Sequence, residues 1–134
     1  MRYLLTLLSL IVFACSSDEP NNEQEDLIVS QAIYRETSTE QYTILDAMID
    51  GDELSITIQS GGCDGSNWEI RLVDSGSIAE SYPVQRYIKI ALTNNESCDA
   101  LVTQTKIFDI SSLQVEDQLF FNLEGWDEQL HYDF

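Results

Sequence analysis

Three cysteines and one histidine are the side chains of this sequence that could support redox, metal or nucleophilic chemistry. Cys15 ends an apolar run, Cys63 lies in the glycine-rich segment 60–66, and Cys98 follows a polar turn. The cysteines form no CxxC pair, and His131 is far along the chain from each of them, so the ligand spacing of a zinc site is missing. A catalytic thiol needs basic neighbours that lower its pKa, and none adjoins Cys63 or Cys98. The sequence therefore predicts no metal, no cofactor and no catalytic cysteine.

Hydrolytic chemistry would need His131 or a pair of carboxylates. His131 lies in an alternating segment between Leu130 and Tyr132, so the pattern directs its side chain outward into solvent. The chain has 24 Asp and Glu residues, and no pair of them is distinguished by its spacing. We predict that the protein is not an enzyme, and we keep an envelope hydrolase with an acidic site as an alternative.

Trp126 is the candidate for contact with a ligand. It lies in the turn 125–128 between two alternating segments, where an exposed indole could stack on a sugar or anchor a partner protein. The other interpretation is that its side chain folds back and caps the end of the domain. Trp68 alternates with Ile70 and Leu72 and is expected in the core.

Residues 1–14 predict a signal peptide. Arg2 supplies a positive charge, and the run from Tyr3 to Ala14 is almost entirely apolar yet too short to cross a bilayer as a helix. The run stops abruptly at a polar, acidic segment and lacks the periodicity of a core element. We therefore expect export of the chain and removal of these residues.

Residues Val12–Cys15 resemble a bacterial lipobox, in which the cysteine is lipidated before cleavage. The resemblance implies that Cys15 carries acyl chains, and two or more such chains hold a soluble domain on a membrane. Cysteine arithmetic agrees, because lipidation of Cys15 removes the odd thiol of an exported chain. Cys63 and Cys98 are then expected to pair, and closing the loop between them is worth about 4 kcal/mol on the chain-entropy model.

The segment after the lipobox predicts a flexible tether that occupies, with Cys15, residues 15–26. It reads SSDEPNNEQED and cannot bury enough apolar surface to order itself. Its first four residues, Ser16–Glu19, resemble the serine-and-acid signal that directs lipoproteins of Bacteroidota to the outer face of the outer membrane. We expect an outer-membrane, lipid-anchored protein displayed at the cell surface, with the periplasmic face as the alternative.

The charge of the chain restricts its partners. The formal net charge is −18, and it becomes −19 when Arg2 leaves with the leader. Such a surface repels nucleic acid and anionic headgroups, so neither is expected as a partner. Contact with the membrane is expected through the N-terminal lipid, and a glycan or an envelope protein remains as a partner class.

Period-two alternation dominates residues 27–134 and predicts a single domain of seven or eight short strands. The segment Asp74–Ser81 is expected to be a loop, and no amphipathic helix is expected. The pattern favours an all-β, antiparallel, immunoglobulin-like β-sandwich, with a small closed β-barrel as the alternative. The predicted strands are Leu27–Arg35, Tyr42–Ile49, Glu53–Gln59, Asn67–Val73, Val84–Leu92, Ala100–Ile110, Gln118–Glu124 and Gln129–Phe134.

Residues 61–113 resemble uncharacterised small surface lipoproteins of the Bacteroidota. The motifs that carry the resemblance are GGC at 61–63, WEI at 68–70, ESYPVQ at 80–85, CDA at 98–100 and FDI at 108–110. The resemblance supports the fold and the location and implies no activity. The sequence therefore predicts a lipid-anchored, extracytoplasmic, non-catalytic protein with a binding or structural role at the cell envelope. A glycan-binding accessory to polysaccharide uptake is the first alternative.

Overall fold

A computed structural model describes residues 26–134 of the chain. The predicted signal peptide, the predicted lipidation site Cys15 and tether residues 16–25 lie outside the described residues. Asp26, expected as the last residue of the tether, contacts the domain: its carbonyl accepts a hydrogen bond from the Leu72 amide, and its carboxylate pairs with Lys106.

Strands make up most of the described chain, and each strand predicted from alternation has a counterpart. Asp50-Gly51 makes the turn of the first hairpin, where Gly51 has a φ of 59°, a backbone conformation that glycine adopts without strain. The elements in order are β1 (Leu27–Val29), α1 (Gln31–Glu36), β2 (Thr43–Asp50), β3 (Glu53–Gly62), β4 (Glu69–Ala79), β5 (Val84–Thr93), β6 (Ala100–Asp109), a 3₁₀ turn (Ser111–Leu113), β7 (Gln118–Leu123) and β8 (Leu130–Asp133).

The eight described strands form two sheets that share one hydrophobic core. The five-stranded sheet has the order β1-β4-β5-β7-β8, and the three-stranded sheet has the order β2-β3-β6. Alternate residues of each strand point into the space between the sheets, as predicted for Leu54, Ile56 and Ile58, which are at most 1% exposed. The core also contains Leu72, Ile88, Ile90, Phe108, Leu119, Phe121 and Tyr132.

Two parallel strand pairs correct the predicted topology. β1 pairs with β4 in parallel, and β5 pairs with β7 in parallel, so the five-stranded sheet is mixed. In each case the intervening strands cross into the other sheet before the chain returns, which supplies the crossover that a parallel pair needs. The predicted immunoglobulin-like arrangement with only antiparallel neighbours is therefore wrong for this sheet. The barrel alternative is also wrong, because the two sheets do not close on each other.

Two segments differ locally from the prediction. The expected strand Leu27–Arg35 ends at Val29, because the Ser30 hydroxyl accepts a hydrogen bond from the Ile33 amide and caps α1. The expected loop Asp74–Ser81 is strand as far as Ala79, where β4 ends, and only its last two residues lie outside the strand. The pairing of β4 with β5 shifts between Asp74 and Ile78. The polar residues that suggested a loop occupy this irregular stretch of strand.

The disulfide between Cys63 and Cys98 ties the end of β3 to the segment before β6, with 4.9 Å between the two Cα atoms. The carboxylate of Glu96 supports the same corner, since its Oε2 accepts hydrogen bonds from the amides of Cys63 at 2.8 Å and Gly65 at 3.0 Å. Hydrogen bonds from backbone amides to an ionised carboxylate are stronger than those to neutral acceptors. The corner is therefore held by a covalent bond and by a charged acceptor.

A buried ion pair joins β4 to β5. Arg86 Nε and Nη2 donate to the two carboxylate oxygens of Asp74, at 2.8 Å and 3.0 Å. Asp74 also accepts a hydrogen bond from the Gly76 amide, and its residue exposure is 0%. The register places Asp74 opposite Ile88, and Arg86 lies two residues before Ile88 on β5, so both residues lie on the core side of the sheet. Since a buried charge is costly without its partner, the two residues depend on each other.

Replacement of Asp74 with alanine is expected to lower the free energy of unfolding by about 3–5 kcal/mol, because it leaves the Arg86 guanidinium buried and unpaired. Urea unfolding of the wild type and the variant measures the change. The matched control is Glu69→Ala, which breaks the exposed Glu69–Arg71 pair at 3.6 Å and is expected to change stability by less than about 1 kcal/mol. Equal stability of the Asp74→Ala variant and the wild type would contradict the assignment.

Replacement of Gly62 with alanine is expected to destabilise the disulfide corner. A Cβ atom at this position would lie 2.5 Å from Glu96 Oε2 and 3.2 Å from Trp68 Nε1. Glu96 cannot move aside without losing its amide donors, so we expect a loss of about 1–3 kcal/mol in urea unfolding. Gly61→Ala is the control, because its Cβ would meet only the Ala100 carbonyl oxygen, at 4.0 Å. Equal losses for the two variants would show that contact with Glu96 is unimportant.

Candidate functional site

The outer face of the five-stranded sheet carries uncharged polar and aromatic side chains on three neighbouring strands. Strand alternation turns these side chains away from the core, and the register places Gln85 opposite Phe120, Tyr87 opposite Asn122, and Phe120 opposite His131. We call this surface the amide–aromatic face. It consists of Gln85, Tyr87, Phe120, Asn122, Gln129 and His131.

Three amide side chains form a closed hydrogen-bonded network at the centre of the amide–aromatic face. Gln85 Oε1 accepts from Asn122 Nδ2 at 3.0 Å and from Gln129 Nε2 at 3.1 Å, and Gln129 Nε2 also donates to Asn122 Oδ1 at 2.9 Å. Gln129 Oε1 has no protein partner in residues 26–134. The network therefore holds three flexible side chains in fixed positions and presents an open acceptor to solvent.

Aromatic rings flank the network toward β8. The rings of Phe120 and His131 have centroids 4.7 Å apart and planes inclined by 42°. The His131 Nε2 lies 3.1 Å from Gln118 Oε1, and Gln118 Nε2 reaches the hydroxyl of the exposed Tyr82. As predicted, His131 points outward. Its Nε2 also lies 3.1 Å from the Asp133 carboxylate. No serine hydroxyl bonds to His131 among the described residues, so it does not form a Ser-His-Asp arrangement there.

The helix α1 packs on β4 and provides the other wall of the amide–aromatic face. Tyr34 of α1 lines a pocket of about 220 Å³ together with Tyr87, Asn122, Leu123 and Glu124. Burial, and then the carboxylate of Glu124, raise the pKa of Tyr34 above its usual value. A phenol is protonated at neutral pH even at the ordinary tyrosine pKa of about 10, so Tyr34 is available as a hydrogen-bond donor at the pocket.

The mostly buried Lys89 holds α1, which carries Tyr34, against the sheet. The Lys89 ammonium lies 3.2 Å from the Glu124 carboxylate, 3.3 Å from the Thr37 carbonyl and 4.4 Å from the centre of the Tyr34 ring. These contacts satisfy the charge of Lys89 and hold the end of α1 against the sheet. The pocket wall is therefore built on an ordered element and is not a free loop.

The residues predicted as sites lie elsewhere. Trp126 is half-buried and packs against the core, as the capping interpretation expects, and its indole Nε1 is buried without a hydrogen-bond partner in the described chain. It also lines a pocket of about 240 Å³ with Ile44, Gly125, Asp127 and Glu128, so contact with a ligand stays a prediction. Trp68 packs against the core. Cys63 and Cys98 form the disulfide, and Cys15 is outside the described residues.

Carboxylates gather in one further pocket. A volume of about 390 Å³ lies between the β2–β3 turn, the end of β6 and the residue before β1, and it is lined by Asp26, Asp52, Glu53, Ile107 and Asp109. The hydroxyl and amide of Ser111 lower the pKa of Asp109 from its usual value, and Asp52 accepts a 2.6 Å hydrogen bond from the Tyr132 hydroxyl. Within residues 26–134 we find no group of three or more His, Cys, Asp and Glu side chains arranged to hold a metal ion.

Comparisons with known proteins give one informative likeness. No protein-family model matches the sequence, and no curated protein matches it. The fold is similar to the crystal structure of a protein of unknown function, DUF1344, from Bacteroides vulgatus, with a TM-score of 0.53 and 16% sequence identity. The match covers 81% of this chain and 54% of that one, so this chain spans about half the length of the matched structure. At this identity the likeness shows the fold alone.

The amide–aromatic face was not predicted as a site from the sequence. Alternation does indicate that Gln85 and Tyr87 lie on the side opposite to the core residues of β5, and the same signal exists for Phe120 and Asn122 in β7. The pairing of β5 with β7 in parallel, which brings the two sets together, cannot be read from the local pattern of the sequence.

No helix in the described part of the chain is long and apolar enough to span a membrane.

Proposed function

We propose that this protein is a lipid-anchored, extracytoplasmic, non-catalytic binding protein of the cell envelope. The observation that carries the proposal is the lipobox-like end of the leader at Cys15, because it assigns a role to the one cysteine that the Cys63–Cys98 disulfide leaves over. A structural disulfide fits an oxidising compartment outside the cytoplasm. The acidic segment after Cys15 supports display at the outer membrane surface, and the periplasmic face is the alternative.

Replacement of Cys15 with serine is expected to abolish lipidation. Intact-mass and N-terminal peptide measurements on the membrane fraction should find acylated Cys15 in the wild type and no acylated peptide in the variant. Ser16→Ala, at the adjacent position, is the control and should keep the lipid. A wild-type protein with an unmodified Cys15 or an intact leader would contradict the proposed anchor. Without two acyl chains, stable attachment through a lipid is lost.

The amide–aromatic face favours a second, more specific candidate function, which is the binding of a neutral glycan. Sugars present hydroxyl groups that donate and accept hydrogen bonds, together with C–H faces that pack on aromatic rings. The face supplies amide donors and acceptors beside Tyr87 and Phe120, with the Tyr34 phenol at the pocket wall. Pockets of this kind combine apolar rings with a few placed polar groups.

The charge distribution supports a neutral ligand. The chain has 24 acidic residues and a formal charge of −18, yet the side chains of the amide–aromatic face carry no carboxylate. Two carboxylates adjoin the face: Glu124, which is paired with Lys89, and Asp133, which lies 3.1 Å from His131. An uncharged polar ligand therefore meets no strong repulsion there, whereas an anionic polymer would be repelled by the surrounding surface.

The glycan candidate predicts that Asn122→Ala and Tyr87→Ala each weaken binding by roughly tenfold or more, since each removes a central contact of the face. The full chain is screened on an array of neutral envelope and plant polysaccharides, and the affinity for the best hit is then measured by calorimetry. Asn95→Ala removes an amide from an exposed turn away from the face and should bind as the wild type does. Absence of any neutral hit, or equal binding by Asn122→Ala, would contradict the candidate.

An envelope hydrolase is the remaining alternative, and the acidic pocket at Asp52, Glu53 and Asp109 is where it would lie. A general acid at neutral pH needs a raised pKa. The pKa of Asp109 is lowered, which suits an ionised carboxylate and not a proton donor. An acid role for Asp109 therefore has no support, and the binding proposal is preferred for the contacts of the amide–aromatic face.

A further inference from the structure

β6 is an open edge of the three-stranded sheet. Its ten residues pair with β3 on one side, and no strand of the described chain pairs with its other side. Backbone amides and carbonyls on such an edge are a template for another strand. In the described residues, none of the hydrogen bonds outside the sheet ladders reaches the backbone of residues 100–108.

Open edges are commonly protected by proline or by charged side chains, including charges that point inward. β6 contains no proline, and its residues 100–105 carry no charge. Lys106 alternates with Ile107 and lies on the same side of the sheet as the buried Phe108, so it is an inward-pointing charge of the protective kind. Its ammonium pairs with Asp26, which offsets that charge.

The outward-facing side chains of β6 read Leu101, Thr103, Thr105 and Ile107, which is a palindrome of residue type about Gln104. Leu101 is 71% exposed and Ile107 is 56% exposed, which makes them two of the more exposed large apolar side chains described. An isologous, two-fold contact requires a surface that is complementary to itself. A strand with apolar residues at both ends and threonines between them meets this condition when it runs antiparallel to its own copy.

We propose that β6 pairs antiparallel with β6 of a second copy of this chain, with the two-fold axis at Gln104. In this register Leu101 lies opposite the second copy's Ile107, and Thr103 lies opposite the second copy's Thr105. Side chains that are directly opposite in an antiparallel pair have Cβ atoms about 4.5–5.5 Å apart, which is close enough for these pairs to pack. The two three-stranded sheets become one sheet of six strands.

The threonine hydroxyls keep hydrogen-bond partners when this contact forms. Thr105 Oγ1 lies 2.8 Å from Thr57 Oγ1, and Thr103 Oγ1 accepts from Gln59 Nε2 at 3.2 Å. Each hydroxyl thus has a partner within its own sheet before a second copy arrives. Covering a polar group that is already hydrogen-bonded costs much less than covering one that is not.

Repulsion between negative charges opposes the contact and makes dimerisation depend on the salt concentration. The same register places Asp99 opposite the second copy's Asp109, and each copy carries a formal charge of −18, or −19 without the leader. Salt screens repulsion between exposed charges, so the dimer is expected to strengthen as ionic strength rises. A contact held by ion pairs would weaken under the same change.

The test uses two double variants of the full chain in detergent micelles kept in excess over protein. Thr103→Lys/Thr105→Lys places lysine opposite lysine in the proposed register, and Thr103→Glu/Thr105→Glu places glutamate opposite glutamate. The control is Thr43→Lys/Leu45→Lys, which adds two positive charges to exposed positions on the other edge strand of the same sheet. Sedimentation equilibrium measures association at about 0.05 M and about 0.5 M NaCl, and circular dichroism checks that each variant is folded.

The wild type and the control should dimerise, and more strongly at the higher salt concentration. Each charged double variant should be monomeric alone, and an equimolar mixture of the two should form a heterodimer because unlike charges then face each other. A wild type that stays monomeric up to about 1 mM at both salt concentrations would overturn the proposal. Charged variants that dimerise as the wild type does would also overturn it, as would a mixture that stays monomeric.

Discussion

Most of this structure depends on one constraint of its topology. The chain twice leaves the five-stranded sheet, forms strands of the other sheet, and then returns to the five-stranded sheet. β2 and β3 separate β1 from β4, and β6 separates β5 from β7. Because each excursion ends in a parallel pair, strands that are not consecutive become neighbours. This arrangement places the amides of β5 and β7 side by side on the outer face. It also sends β6 to the other sheet, where it has β3 on one side and an open edge on the other.

Much of the fold could be predicted from local pattern, and the reasons for the failures are physical. Alternation located every strand, because a strand with one face in a core must place apolar residues at every second position. The helix α1 was missed because six residues are too few to establish a helical period, and its cap, Ser30, precedes Ile33 and not the acidic residue of a capping box. The end of β4 was missed because Asp74 is polar, and its burial depends on Arg86, twelve residues away in sequence.

The candidate site was not predictable for a different reason. Tyr34, Gln85 and Asn122 come from α1, β5 and β7, and none of them is unusual in its own segment. Their proximity is a property of the pairing between strands, which local pattern does not encode. Trp126 was predicted as a ligand contact because it is a tryptophan in a turn, yet its side chain is partly buried and packs against the core. Conversely, the pairing of Cys63 with Cys98 was predictable, because the expected export of the chain and the expected lipidation of Cys15 leave these two cysteines to pair.

The contacts of Asp26 fix where the N-terminal end of the described chain lies on the domain. Asp26 contacts Leu72 and Lys106, so the preceding chain joins the domain at the edge formed by β1. The five-stranded sheet runs from β1 to β8 across four inter-strand spacings of about 4.8 Å, or roughly 19 Å. His131 and Gln129 therefore lie toward the far end of the sheet from that attachment point. The N-terminal junction and these two side chains are therefore held at opposite edges of one sheet, so a change at one edge reaches the other only across the full width of the sheet.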